Sequence, residues 1–139
     1  LTQLHASYGR FTDKGVEALR SASALETFEA ARTRVTDQGV SALTSIRSLK
    51  YLNLDYTAVS DKSVGQIAEA LPAITGLRLD SGNITDASVP ALSKLTALRE
   101  LNLYHTLVSQ GGYDQLKAAL PKCRIIWDRD SSMPTRRKS

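Results

Sequence analysis

A period of 24 or 25 residues runs through the chain and constrains it more than any other feature. A repeat of that length folds by stacking copy on copy, because one copy cannot bury its own apolar edge. Five segments align, 1–24, 25–48, 49–73, 74–97 and 98–122, and a truncated sixth copy starts at Cys123. Each opens on L-x-x-L-x-[LA], as in Leu49, Leu52 and Leu54 or Leu98, Leu101 and Leu103, with Phe28 and Ile74 standing in for leucine in the second and fourth copies. The fourth and sixth positions lie two apart, so they share one side of a strand while the fifth and seventh share the other. Thr or Gly at the ninth position (Gly9, Thr33, Thr57, Gly82, Thr106) turns the chain. A hydroxyl there can bond to backbone inside the turn, which a buried loop requires.

An apolar residue and a hydroxyl-acid pair follow: Phe11-Thr12-Asp13, Val35-Thr36-Asp37, Val59-Ser60-Asp61 and Ile84-Thr85-Asp86. Thr or Ser suits a helix N-cap, and Asp in the first turn suits the positive end of the helix dipole. Val16 with Leu19, and Val40 with Leu43, have helical spacing. Pro72 and Pro121 stop the helices of the two 25-residue copies. Pro90 predicts that the fourth helix begins late, near Ser88, and Gly111-Gly112 loosens the start of the fifth. The expected fold is therefore α/β: a β-α solenoid with five helices on one face and six parallel strands on the other. Its repeat domain is 1–130, closed by a strand at 123–128, and 131–139 is a basic tail.

The pattern L-x-x-L-x-L-x-x-T-x-V-T-D-x-G-V-x-A-L resembles the leucine-rich-repeat family, over about residues 1 to 128. It is most similar to the cysteine-containing and ribonuclease-inhibitor-like classes, with Thr or Gly where those carry Asn or Cys. The resemblance implies a right-handed horseshoe segment with its sheet on the concave side, and binding of proteins through that sheet.

The net charge of +4 lies entirely at one end: over residues 1–121, 12 Lys+Arg balance 12 Asp+Glu, while 122–139 hold six against two. A body without a basic patch argues against nucleic acid. No apolar run approaches the ~20 residues of a membrane-spanning helix. Leu1 to Arg10 lacks the features of a signal peptide and no Met begins the chain, so it reads as processed or partial. Leu1 opens a strand directly, leaving that end uncapped unless residues precede it. A single cysteine, Cys123, excludes an internal disulfide framework and a multi-cysteine metal site.

Catalytic constellations are absent from the pattern. His5 and His105 fall four strands apart, roughly 19 Å, too far to share a metal or a substrate atom. Cys123 takes a leucine slot and reads as a small buried apolar residue. Asp55 and Asp80 occupy the same position on neighbouring strands, close enough to hold a cation or act together, but the simpler reading is an acidic spot beside Arg78 on a solvated face. No cofactor or metal is implied. Of eight aromatic residues, the register sends Tyr8, Tyr51, Tyr56, Tyr104 and Trp127 outward and puts Phe11, Phe28 and Tyr113 in core positions. Aligned tyrosines serve interfaces better than solvent.

The expected function is a non-catalytic protein-interaction module or scaffold subunit, with an adaptor region of a multidomain protein as the alternative. The expected partner-binding residues are Tyr51, Asn53, Asp55, Tyr56, Arg78, Asp80, Asn102, Tyr104 and Trp127. The tail, through Arg136, Arg137 and Lys138, is expected to contact an acidic surface.

Overall fold

The structure is a computed structural model, and it describes residues 2–6 and 11–129. Tyr8, Gly9 and the tail residues Arg136, Arg137 and Lys138 lie outside the described residues. The order of elements is β1 (Gln3–His5), α1 (Asp13–Glu17), β2 (Thr27–Glu29), α2 (Asp37–Leu43), β3 (Tyr51–Asn53), α3 (Asp61–Ala70), β4 (Gly76–Arg78), a 3-10 turn (Asp86–Ser88), α4 (Val89–Ser93), β5 (Glu100–Asn102), α5 (Gln110–Ala119) and β6 (Arg124–Ile126). Among the described residues six strands form one open sheet, β1-β2-β3-β4-β5-β6, every pairing parallel.

Leucine spacing explains the layers. Leu25, Leu49, Ile74 and Leu98 stack in one buried row, Phe28, Leu52, Leu77 and Leu101 in a second, and Leu54, Leu79 and Leu103 in a third. Val16, Val40, Val64, Ile67, Leu92 and Leu116 close the core from the helix side. At the ninth position the hydroxyls of Thr33, Thr57 and Thr106 donate to the carbonyls of Ala30, Leu54 and Leu103, each at 2.7 Å, as the turn chemistry requires. The residue before it is left-handed in every described repeat: Arg32 (φ 58), Tyr56 (φ 57), Ser81 (φ 64) and His105 (φ 56). A non-glycine side chain rarely sits there, and it turns the chain sharply off the strand.

The caps differ in detail from the sequence expectation. The hydroxyls of Thr36, Ser60 and Thr85 accept from Gln38, Lys62 and Ala87 N–H, but Thr12 makes no side-chain cap bond. The fifth helix starts cleanly at Gln110, because Ser109 Oγ accepts from Gly112 N–H at 3.2 Å. Pro90 lies in the first turn of α4, as its position demands, with Asp86–Ser88 wound as 3-10 ahead of it.

The helix-start aspartates do more than face a dipole. Asp37 accepts from Ser60, Asp61 from Thr85 and Asp86 from Ser109, in each case from both backbone N–H and side-chain hydroxyl of the next repeat. Asp13 holds Thr36 in the same way. Ser63 and Ser88 donate further hydroxyls to Asp37 and Asp61, while Gly39 and Gly112 stand in the equivalent place, where a Cβ would overlap Asp13 and Asp86. One polar ladder of four links thus ties five successive repeats together along the helix starts.

The final strand is shifted by one residue from the expected alignment. Leu101 pairs with Ile125 and Asn102 with Ile126, so Trp127 takes the place that Leu103 holds one repeat earlier. Trp127 accordingly turns inward and packs against the core, and Ile126 takes the outward position. The indole stacks on Tyr113 of α5 (centroids 4.5 Å, planes 10° apart) and donates to Val108 O at 3.0 Å. The large ring covers the last core layer, and Cys123, whose N–H donates to Leu120 O as the leucine-slot residues donate in their repeats, is half-buried instead of buried.

Candidate functional site

The outward positions of β3 to β5 and the residues just after them form the candidate site. On β3 they are Tyr51, Asn53, Asp55 and Tyr56; on β4, Gly76, Arg78, Asp80 and Ser81; on β5, Glu100, Asn102, Tyr104 and His105. Each strand is only three residues long, so its alternation brings few side chains to the face and the left-handed residue adds one more at the rim.

A line of charge crosses three strands. Arg78 Nε donates to Asp55 Oδ2 at 2.9 Å, and Arg78 Nη1 pairs with Glu100 Oε2 at 3.5 Å. The other Asp55 oxygen accepts from Asp80 N–H at 2.8 Å. Asp55 is 7% exposed, so it is a buried partner and not a member of a solvated acidic spot. Burial lifts its carboxyl above the usual range, against the opposing pull of Asp80 N–H and Arg78. Burial also works against the Arg78 charge, but Asp55 outweighs it and holds the guanidinium protonated. Asp80 accepts from Ser81 Oγ at 2.9 Å and faces His105 Nδ1 at 3.3 Å, with the His105 ring against Tyr104 (4.0 Å, tilted 54°).

The aromatic groups flank this line. The Tyr51 ring lies across Gly76, where any Cβ would overlap it, so the glycine of β4 makes room for the tyrosine of β3. Burial and nearby Glu100 raise the Tyr51 hydroxyl above its ordinary pKa, so it stays neutral. Tyr56 is 42% exposed, and among the described residues it is the one large apolar side chain left exposed. The Arg32 guanidinium rests 4.0 Å over its ring.

Of the residues expected to contact a partner, Tyr51, Asp55, Tyr56, Arg78, Asp80 and Tyr104 come together here. Asn53 and Asn102 stand on the face but turn their carbonyls inward, accepting from Asp55 N–H at 3.0 Å and Tyr104 N–H at 2.9 Å. They hold the strand ends rather than offer free amide oxygens. Trp127 is not on the face at all, for the register reason given above. His105, Glu100 and Arg32 belong with the site and were not expected; their outward or rim positions in the repeat are the signal that could have found them.

Elsewhere, an open cleft of about 280 Å³ at the strand-start edge is lined by Leu98, Leu120, Pro121 and Cys123 among others. Burial is the main cause pushing the Cys123 thiol up, which keeps it protonated and unreactive. Among the described residues no cluster of three His, Cys, Asp or Glu could hold a metal ion, and no helix is long and apolar enough to cross a membrane.

No protein-family model matches the chain and no curated protein matches its sequence. Solved structures do resemble it. An internalin of Listeria monocytogenes matches with TM-score 0.65 at 17% identity, over 100% of this chain and 46% of its own. The region called actin-binding site 2 of leiomodin-1 matches with TM-score 0.67 at 19% identity, over 87% and 79%. A leucine-rich-repeat protein of Leptospira interrogans matches with TM-score 0.64 at 17% identity, over 90% and 36%. This chain spans about half the length of the internalin. The fold is that of a leucine-rich-repeat solenoid, an open sheet of parallel strands alternating with helices.

Proposed function

We propose that this chain is a non-catalytic protein-binding module whose contact surface is the outward face of β3 to β5. The observation that carries the reading is Tyr56, left 42% exposed beside the fixed Asp55–Arg78–Glu100 line and within the same face as Tyr51 and Tyr104. Tyrosines give wide contact with few rotamers to freeze, and polar groups already held in place by one another lose little freedom on binding. The excess of carboxylates on the face favours a protein partner over nucleic acid. The leiomodin-1 region is named for binding actin, which is one instance of this fold serving a protein partner.

The test begins with affinity capture by the whole chain and identification of the partner. Affinity is then measured for Tyr56→Ala with Tyr104→Ala, and separately for Lys62→Ala with Lys94→Ala on the helix side. The tyrosine pair is expected to weaken binding by about 2 kcal/mol or more, roughly thirtyfold, and the lysine pair to leave it unchanged. Equal affinity for both pairs and the unsubstituted chain would place the contact elsewhere.

A further inference from the structure

We propose that the face of β3 to β5 seats an arginine-bearing extended segment, and that its occupant is this chain's own stretch 131–139, Ser-Ser-Met-Pro-Thr-Arg-Arg-Lys-Ser. The proposal rests on the protein-binding reading above and names what competes for the same surface.

Charge comes first. Across β2 to β5 the outward positions and the residues just after them carry the carboxylates of Glu29, Asp80 and Glu100, besides the buried Asp55 that pairs with Arg78, with Arg32 at the rim. Residues 131–139 carry Arg136, Arg137 and Lys138 and no acid. The face also shows how it holds such groups. It holds the Arg78 guanidinium between two carboxylates, and it sets the Arg32 guanidinium 4.0 Å over the Tyr56 ring. Beside them stand the Asp80 carboxylate and the Tyr104 ring, both against His105, with Glu100 shared with Arg78. An arriving arginine therefore finds the chemistry that already binds two.

Reach comes second. β6 is the last strand of this same sheet, and the described chain ends three residues beyond it, at Arg129. Three strand spacings separate β6 from β3, about 14–15 Å. Seven extended residues from Arg129 to Arg136 cover up to about 25 Å. A residue before proline favours extended backbone, so a sequence with Pro134 suits a segment laid across strands. Seated there, the basic stretch covers Tyr104 and the Asp80–Glu100 pair, and a protein partner has to displace it.

The probe is a synthetic peptide with the sequence of residues 131–139, titrated at low ionic strength into two forms of the full chain. One is unsubstituted; the other carries Arg136→Gln, Arg137→Gln and Lys138→Gln. The tethered copy competes at high effective concentration, so the substituted chain is expected to bind the peptide at least about tenfold more tightly. Adding Asp80→Asn and Glu100→Gln to that chain is expected to remove the binding. Equal affinity for the two forms, no binding to either, or indifference to the Asp80 and Glu100 changes would each overturn the proposal. A second measurement is independent of those last two substitutions. Backbone amide shifts between the two forms, without peptide, are expected at residues 78–81 and 100–105, and differences confined to residues beyond 126 would overturn it. The Tyr56→Ala and Tyr104→Ala assay reads a different molecule, so either reading can fail while the other stands.

Discussion

Asp37 reaches across to the next repeat and takes two hydrogen bonds from Ser60, one from its N–H at 2.8 Å and one from its hydroxyl at 2.6 Å. A carboxylate bonded in this way fixes the spacing between neighbouring helices, because backbone and side chain of the same residue must both fit it. The apolar rows supply the drive to stack; the Asp–Ser contact supplies the registration.

Removing that contact should cost stability in proportion to how much of it is shielded. Asp37→Ala is expected to destabilise by about 1–3 kcal/mol, because Ser60 and Ser63 lose their acceptor. Asp86→Ala should cost less, since Asp86 is exposed and water can replace it at Ser109. Urea midpoints of the two variants decide this, and a larger loss for Asp86→Ala would contradict the ladder as a stabilising device.

Acid titration should separate the two aspartates by sign. Burial opposes ionisation of Asp37, but the bonds from Ser60 and Ser63 outweigh it and hold the carboxyl below its usual value. Its contribution is present above the unfolded value of about 3.8 and fades as pH falls through the depressed folded value. Asp55 runs the other way: burial raises its folded value, so relative to Asp55→Asn the native chain gains stability as pH falls toward and below that raised value. Melting curves of each Asn variant beside the native chain, from neutral pH downward, should converge for Asp37 and shift in favour of the native chain for Asp55.

The strand alternation gives a sharp contrast between neighbours. Leu52 is fully buried, and Leu52→Ala should cost about 2–5 kcal/mol through the cavity it leaves. Asn53→Ala removes an acceptor from Asp55 N–H on a partly open face and should cost about 1 kcal/mol. Equal melting shifts would mean that inside and outside are exchanged.

Trp127→Ala tests the shifted last strand. Loss of the Tyr113 stack and of the bond to Val108 should lower amide-exchange protection across Gln110–Ala119 while partner affinity stays unchanged. Reduced affinity with protection intact would return Trp127 to the binding face.

The fold was legible in the chain because its period is stated five times and each copy repeats the same inside-outside decision. Leu52, Leu77 and Leu101 could be placed from spacing alone, as could the turn role of Thr57. Pro90 told where the fourth helix had to start. What spacing could not show was which polar atoms meet across repeats. Asp61 and Thr85 are 24 residues apart, one full period, and that coincidence was the available signal for their bond. Trp127 was misplaced because the loop after Leu120 is one residue tighter than its counterpart after Leu71, a difference invisible until the strands are paired. At the face, the tyrosines were readable from register. The inward turn of Asn53 and Asn102 was not, since an amide on an outward position can serve solvent or its own strand end equally well.

The left-handed residues at the rim carry an evolutionary consequence. Arg32, Tyr56, Ser81 and His105 differ in size, charge and chemistry, yet all four share a left-handed φ between 56° and 64°. The geometry of the turn is therefore indifferent to the side chain it displays, apart from the shared steric cost of any Cβ in that region. Such a site can exchange its display from one repeat to the next without disturbing the stack beneath it. Selection can then revise what the molecule displays at the rim one letter at a time, on a framework that need not be reinvented.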